Sequence, residues 1–374
     1  MKGVMGVINV NVRDDVLDEL TFSRCIASVH FGGHYRLIDF ILSSMVNSGI
    51  RLAAVFTLQK YRSLVDHLET GKEWDLNLNS KDEGLSVLPP SLFYSLKQYF
   101  QGDIQSFYSN LDFFHKRRQK DVIIAGSNMV CNLDLKELVD FHRESKADIT
   151  FLYRDNDPLL NISPWCRKLV LGEDGRILSL ETSEEGVECK QVLLEIFIMS
   201  KALLIDLVES CVMDGMGDLL HDGIIKNSNG LKLYAFPAKG YMGVINSTAH
   251  YYKHSMDLLN PSIRKELFSH PGLIYTKDKN LAPTKYMREA EVTGSLLASG
   301  CSIEGRVENS ILFRETRVEK GAYIKDSIIL PKCIIAEGAQ IERVILGKGV
   351  SVSRGKKVKG RKDTLSVIPD RTIM

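Results

Sequence analysis

The 374-residue chain is first informative for what it lacks. No stretch approaches the ~18 uncharged apolar residues that a membrane-spanning helix needs. The opening apolar stretch, residues 4–12, runs into Arg13, Asp14 and Asp15, which is not the pattern of a secretory leader. The seven cysteines show neither C-x2-C spacing nor a ladder of paired positions. Structural zinc and a disulfide framework are therefore not expected, and reduced thiols in a cytoplasmic protein are. A formal net charge of +1 provides no general attraction for nucleic acid or membrane.

What is present fits a globular protein with more than one core. Hydrophobic residues make up 44% and charged residues 25%, and the length makes two domains the default expectation. Over residues 1–260, strand and helix patterns alternate. Apolar strand patterns fall near residues 4–8, 52–58, 122–125 and 149–153, with helical spacing over 61–68, 102–115 and 135–143. A hairpin is signalled at 169–180, split by Glu173-Asp174-Gly175. A strand at 192–199, a helix at 201–211, a strand at 231–236 and a helix at 246–259 complete the unit. The alternation predicts a Rossmann-like, mainly parallel α/β sheet. Pro261, Pro271 and Pro283 mark residues 261–290 as a linker.

The last segment, residues 291–374, repeats. Gly321, Gly338 and Gly355 recur in step with Ile311, Ile328 and Ile345, and with Ile324, Ile341 and Val358. A period of roughly 17 residues, built from short apolar strands with glycines at corners, predicts a β-helix with three strands per coil. An earlier, less regular coil is expected over residues 295–308. Coils bury their faces only against neighbours, so the stack is also an expected assembly surface.

Residues 29–50 carry the most specific pattern, F-G-G-x-[YF]-R-[LI]-I-D-F-x-L-S followed by N-S-G-I. It runs from Phe31-Gly32-Gly33 through Arg36, Asp39 and Phe40 to Asn47-Ser48-Gly49-Ile50. With the C-terminal repeats and Asn110-Leu111-Asp112, it resembles the bacterial ADP-glucose pyrophosphorylase (glucose-1-phosphate adenylyltransferase) family over nearly the whole chain. The resemblance implies an α/β, GT-A-like nucleotidyltransferase domain followed by a left-handed parallel β-helix. Family members join ATP and glucose 1-phosphate with Mg²⁺, giving ADP-glucose for glycogen synthesis and pyrophosphate.

The departures from that pattern are concentrated where chemistry is done. The family's G-G-x-G-T-R-L loop brings backbone N–H groups against phosphates, a close approach that glycine permits. Here the strand continues Asn9-Val10-Asn11-Val12-Arg13-Asp14-Asp15, without glycine and with two carboxylates. The phosphate-facing lysine of R-A-K-P-A-V falls at Ile26. Of the two Mg²⁺-binding aspartates, the one in G-D-H falls at Ser127 and the one in W-x-D-V-G-T at Gly243. The sugar-side motifs G-T-A-D-A and E-K-P become Gly102-Asp103-Ile104-Gln105-Ser106 and a lysine-free stretch near Glu181-Thr182-Ser183. Loss of the metal alone, at ~4 kcal/mol, is about a thousandfold in rate.

The pattern resembles the regulatory, GlgD-type second subunit of some Gram-positive bacteria. That resemblance implies no catalytic residues, no metal ligands and no strongly bound cofactor, Mg²⁺ belonging to a catalytic partner. It also implies assembly with that partner, in a heterotetramer, in the cytoplasm. The alternative is an independently active sugar-phosphate adenylyltransferase with a diverged site. Acyl transfer, common among left-handed β-helix proteins that use a histidine base, is disfavoured because no histidine follows His270.

Candidate effector ligands are His34, Arg36 and Arg51, near family positions for sugar phosphates, and the basic run Arg354, Lys356, Lys357 and Arg361. Arginine suits phosphate through several charge-assisted hydrogen bonds. The plain alternatives are an Arg36–Asp39 pair holding the loop, and a solvated face for the basic run. His250 and His254, four apart on one expected helix, have metal-ligand spacing but no third ligand nearby, so helix packing is the preferred reading.

Overall fold

A computed structural model describes residues 1–10, 17, 19–77, 82–89, 102–155, 167–182, 191–360 and 365–374. The N-terminal unit begins β1 (Val4–Asn9), then the short hairpin β2 (His30–Phe31) and β3 (Tyr35–Arg36), which leads directly into α1 (Leu37–Asn47). Gly32 and Gly33 make that turn with φ of 59° and 81°, the left-handed region that glycine enters without strain. At the start of helix α1 the Arg36 backbone N–H donates to the Asp39 carboxylate at 2.8 Å, which is one half of a capping box; the arginine side chain has no acceptor to supply the other half. Ten of its residues, from Leu37 to Val46, are buried.

The chain continues with β4 (Leu52–Phe56), α2 (Arg62–Leu68), β5 (Gly84–Leu88), α3 (Asp103–Ser109), α4 (Leu111–His115), β6 (Asp121–Gly126) and β7 (Met129–Cys131). Next come α5 (Leu135–Ser145), β8 (Ile149–Asp155), the hairpin β9 (Arg167–Leu171) and β10 (Ile177–Thr182), and β11 (Gln191–Ser200). The domain closes with α6 (Lys201–Met213), β12 (Leu233–Pro237), β13 (Met242–Val244) and α7 (Thr248–Asp257). The sheet runs in the order β10-β9-β11-β6-β1-β4-β5, with β8 beside β11 and β12 beside β8. Strands β6, β1, β4 and β5 are parallel, so the ends of β1 and β6 at Asn9 and Gly126 lie side by side at one rim. Ligands of open α/β sheets bind at such carboxyl ends. Nearly unbroken apolar strands, such as Leu52–Phe56, are what two covered sheet faces require.

The stretch expected as linker is partly structured: α8 (Pro261–Ser269) begins with proline at its first turn, and the first solenoid strand is already present at Lys285–Tyr286. The C-terminal unit has three parallel five-stranded sheets, one per face of the coil. Their register matches the repeat: Ile311 pairs with Ile328 and Ile328 with Ile345, while Ile324, Ile341 and Val358 form a second row. Gly321, Gly338 and Gly355 turn the corners with φ near +68°. Ile311, Ile328 and Ile345 are wholly buried, each stabilising the fold by roughly 1.5–3 kcal/mol.

The sheet that includes Leu296–Leu297, Ile311–Leu312, Ile328–Ile329 and Val344–Leu346 is the one that packs on the N-terminal unit. One apolar cluster joins Phe31, Phe40, Tyr251 and Leu267 to Ile311, Phe313, Ile328, Leu330 and Ile345. Tyr252 adds a hydroxyl bond to the Asp326 carbonyl at 2.6 Å. The Phe31–Phe40 segment thus lies at the seam between the two units.

Candidate functional site

The rim beyond β1 and β6 is where a nucleotidyltransferase would hold its nucleotide. Residues 11–16, which include most of the departed phosphate loop, lie outside the described residues. Around them the rim is acidic. The Asp103 carboxylate accepts from the Asn9 side-chain amide at 2.7 Å and from the Leu219 backbone N–H at 2.9 Å. Burial, with Asp218 close by, pushes the Asp103 carboxyl up to about 7. The Glu195 carboxylate stands 3.3 Å from where a Cβ on Gly126 would be, beside Asn128. Clustered carboxylates oppose a polyphosphate by like-charge repulsion. Ile26, in the place of the phosphate-facing lysine, is fully buried in a short 3₁₀ turn and belongs to the interdomain apolar cluster.

A Mg²⁺ ion does not fit the positions that the family pattern gives it. Ser127 is fully buried and supplies a neutral hydroxyl with no hydrogen-bond partner among the described residues, where a hard dication wants carboxylate oxygen. Gly243 supplies nothing. A Cβ there would lie 2.6 Å from both Cγ and Nδ1 of the His254 ring. Among the described residues no group of three or more His, Cys, Asp or Glu side chains is placed to hold a metal. His250 and His254 instead bond within their own neighbourhood, His250 to Asn246 and His254 to the Tyr241 hydroxyl at 2.8 Å.

The second site is the seam itself, where the Phe31–Phe40 hairpin meets the solenoid. Arg24, His30, Arg36, Lys279, Arg314 and Lys348 come close enough to oppose one another's charge. Burial and the charges of Arg36, Arg24, Arg314 and Lys348 hold His30 well below the ordinary imidazole range. Burial, then Arg24, Lys332 and Arg36, lowers Lys348, and burial, then Arg314, Arg36 and Lys348, lowers Lys279. Arg24 donates to His30 Nδ1 at 3.2 Å and pairs with Asp370, whose other oxygen takes the Lys348 backbone N–H at 2.7 Å. Since guanidinium only donates, His30 Nδ1 is the unprotonated nitrogen.

Arg36 is buried and lowered to about 10 by that burial. Its Nη1 donates to the Ser63 carbonyl at 2.5 Å and hydroxyl at 3.0 Å, and its Nε has no partner among the described residues. The Arg36–Asp39 pairing foreseen from sequence is a backbone contact; the Asp39 carboxylate otherwise meets His67 Nε2 at 2.6 Å. Arg314 is 3% exposed, and its Nη1 has no partner among the described residues. Half-buried His34 borders the same group, lowered by burial and by Arg314. Crowded, incompletely paired guanidinium groups carry free donors of the kind that the oxygens of an anion accept.

The other expected ligands lie elsewhere. Arg51 pairs with exposed Asp75 at 3.2 Å beside a separate cavity of about 310 Å³ lined by Asn47, Glu73, Trp74 and Tyr275. Arg354 pairs with Glu337 at 2.9 Å, and Lys356 and Lys357 are exposed on a different solenoid face from the one that docks. Arg361 lies outside the described residues. Arg314 and Lys348 were not foreseen. A signal existed: each follows its repeat isoleucine, Ile311 or Ile345, by three residues, so they share one register position.

An α/β unit of this topology joined to a left-handed parallel β-helix defines a nucleotidyltransferase-class architecture. Comparison with known proteins agrees: a nucleotidyl transferase family model matches residues 16–159, and a GlmU-like C-terminal hexapeptide model matches residues 280–364. The glycogen biosynthesis protein GlgD of Bacillus subtilis (strain 168) is 35% identical over 358 residues, covering 96% of this chain and 93% of the relative. GlgD of Geobacillus stearothermophilus is 37% identical over 324 residues, covering 86% and 82%. A glucose-1-phosphate adenylyltransferase of Bacillus cytotoxicus is 28% identical over 360 residues, covering 94% and 93%. The chain belongs to the GlgD family of glycogen biosynthesis proteins. No helix among the described residues is long and apolar enough to cross a membrane.

Proposed function

We propose that this chain is the regulatory, catalytically impaired subunit of an ADP-glucose pyrophosphorylase. It acts by assembling with a catalytic paralogue in a cytoplasmic heterotetramer and raising or tuning that subunit's conversion of ATP and glucose 1-phosphate to ADP-glucose and pyrophosphate. The observation that carries the reading is the state of the metal positions: Ser127 is neutral and buried, and Gly243 has the His254 ring packed where a ligand side chain would stand. Phosphoryl chemistry of this kind depends on a metal to offset the charge that develops on the transferring group. The acidic rim formed by Asp103, Asp218 and Glu195 argues in the same direction. Mg²⁺ in this reading is held by the partner.

The regulatory half of the proposal rests on the seam. Its cations suit a sugar-phosphate effector: His34, Arg36 and Arg314 face the group from both units, with Arg24, Lys279 and Lys348 around them. A ligand seated there touches the hairpin and the solenoid together, and so bears on how the two units sit.

The direct test is an assay of the purified chain alone with ATP, glucose 1-phosphate and Mg²⁺. Background-level formation of ADP-glucose is expected. Turnover near ~1 s⁻¹ or above, the range of working enzymes, contradicts the proposal.

A further inference from the structure

We infer that His254 is a fixed plug in the metal-facing end of the nucleotidyltransferase pocket, closing that end by occupation as well as by loss of carboxylates. The inference rests on the non-catalytic reading above. Its test reads stability and Mn²⁺ binding, neither of which depends on whether a partner subunit is activated.

Gly243 sits in β13, paired antiparallel with Val130 of β7. Its φ is not in the positive range, so the backbone does not require glycine there. The space does. The nearest atoms to an added Cβ are Cγ and Nδ1 of His254 at 2.6 Å and Cδ2 at 3.0 Å, closer than any side-chain carbon sits to a ring. The smallest side chain must therefore displace the imidazole, and an aspartate must displace it further.

The ring is held against such displacement. His254 is 3% exposed. Its Nδ1–H donates to the Tyr241 hydroxyl oxygen at 2.8 Å, and that hydroxyl donates onward to the Asp257 carboxylate at 2.9 Å. This chain of bonds fixes the tautomer with the proton on Nδ1. Lys253 holds the same Asp257 oxygen at 2.9 Å. Helix α7, which carries the ring, is pinned at Tyr251, whose hydroxyl donates to the His30 carbonyl at 2.7 Å, and at Tyr252 on the solenoid. Returning carboxylates to positions 127 and 243 is accordingly not sufficient to rebuild the metal site; the imidazole must leave too.

The test uses the full chain. Gly243→Ala is made with His254 present and with His254→Ala, and thermal unfolding is followed. Alone, the substitution is expected to lower Tm on the order of 5 °C, as overpacking of a filled core does. After His254→Ala, less than half of that drop should remain. Equal drops in the two backgrounds overturn the plug, because independent sites add. A Gly243→Ala chain recovered folded only when His254 is also replaced is the expected result in stronger form. In a second arm, Ser127→Asp/Gly243→Asp is titrated with Mn²⁺ alone, with and without His254→Ala. Binding in the His254→Ala chain only is expected, and equal responses, whether both bind or neither does, overturn the inference.

Discussion

Arg314→Met is expected to strengthen the fold while weakening anion binding, two effects that usually go together. The guanidinium is 3% exposed, its Nη1 lacks a partner among the described residues, and burial lowers its proton affinity. Glu315 and Asp39 favour its charge, but Glu315 also faces Lys332 at 3.7 Å and Asp39 bonds His67 and the Arg36 backbone. A buried, under-paired cation costs folding free energy through desolvation, and because Glu315 and Asp39 have other partners, an apolar side chain of similar volume is expected to stabilise by about 1 kcal/mol. For a protein of this size, about 1 kcal/mol moves Tm by roughly 2–4 °C, so a rise of a few degrees is expected. An anion seated at the seam would lose one charge-assisted hydrogen bond, about 1.5–3 kcal/mol. At ~1.4 kcal/mol per tenfold, that weakens binding on the order of 10- to 150-fold. Differential scanning calorimetry gives the first quantity and isothermal titration with a sugar bisphosphate the second. A variant with unchanged affinity, or one several degrees less stable, refutes the reasoning.

Two further outcomes follow from the buried carboxylates. Asp103, raised in the folded state to about 7, is protonated there at pH values where the unfolded chain is ionised. Its contribution is therefore complete at acid pH and is lost as pH rises through about 7. Asp103→Asn should match the native chain below about pH 4 and exceed it at pH 8; because Asp103 keeps some solvent contact, the gain is about 2 kcal/mol, and a stability difference that is the same at both pH values excludes the raised carboxyl. Asp39→Ala removes the acceptor of both His67 Nε2 and the Arg36 N–H. A loss of about 3 kcal/mol by urea unfolding is expected, and a change under 1 kcal/mol shows that water replaces the carboxylate freely.

The parts of the molecule legible in the sequence are those whose signal is local and periodic. The rows Ile311–Ile328–Ile345 and Ile324–Ile341–Val358 are ladders in the structure because each coil repeats one burial problem. Strands such as Leu52–Phe56 show as apolar runs because both faces of the sheet are covered. The seam was harder to read. Arg24, Arg36, Lys279, Arg314 and Lys348 come from four separate stretches, joined only when the docking face of the solenoid meets the hairpin. The run from Arg354 to Lys359 is conspicuous in the sequence, but a charge run reports local composition, and its strand Lys357–Lys359 belongs to a sheet on another side of the coil. The plug at His254 was equally hidden: a glycine where a pattern has aspartate shows a missing ligand, and only packing shows what fills the space.

The regulatory role is tested most sharply by ADP-glucose formation by the catalytic paralogue, titrated with this chain and followed by size-exclusion chromatography of the mixture. Co-elution as a hetero-oligomer is expected, with the paralogue's kcat or its effector response raised in proportion to the chain added. Separate elution with unchanged kinetics would contradict it.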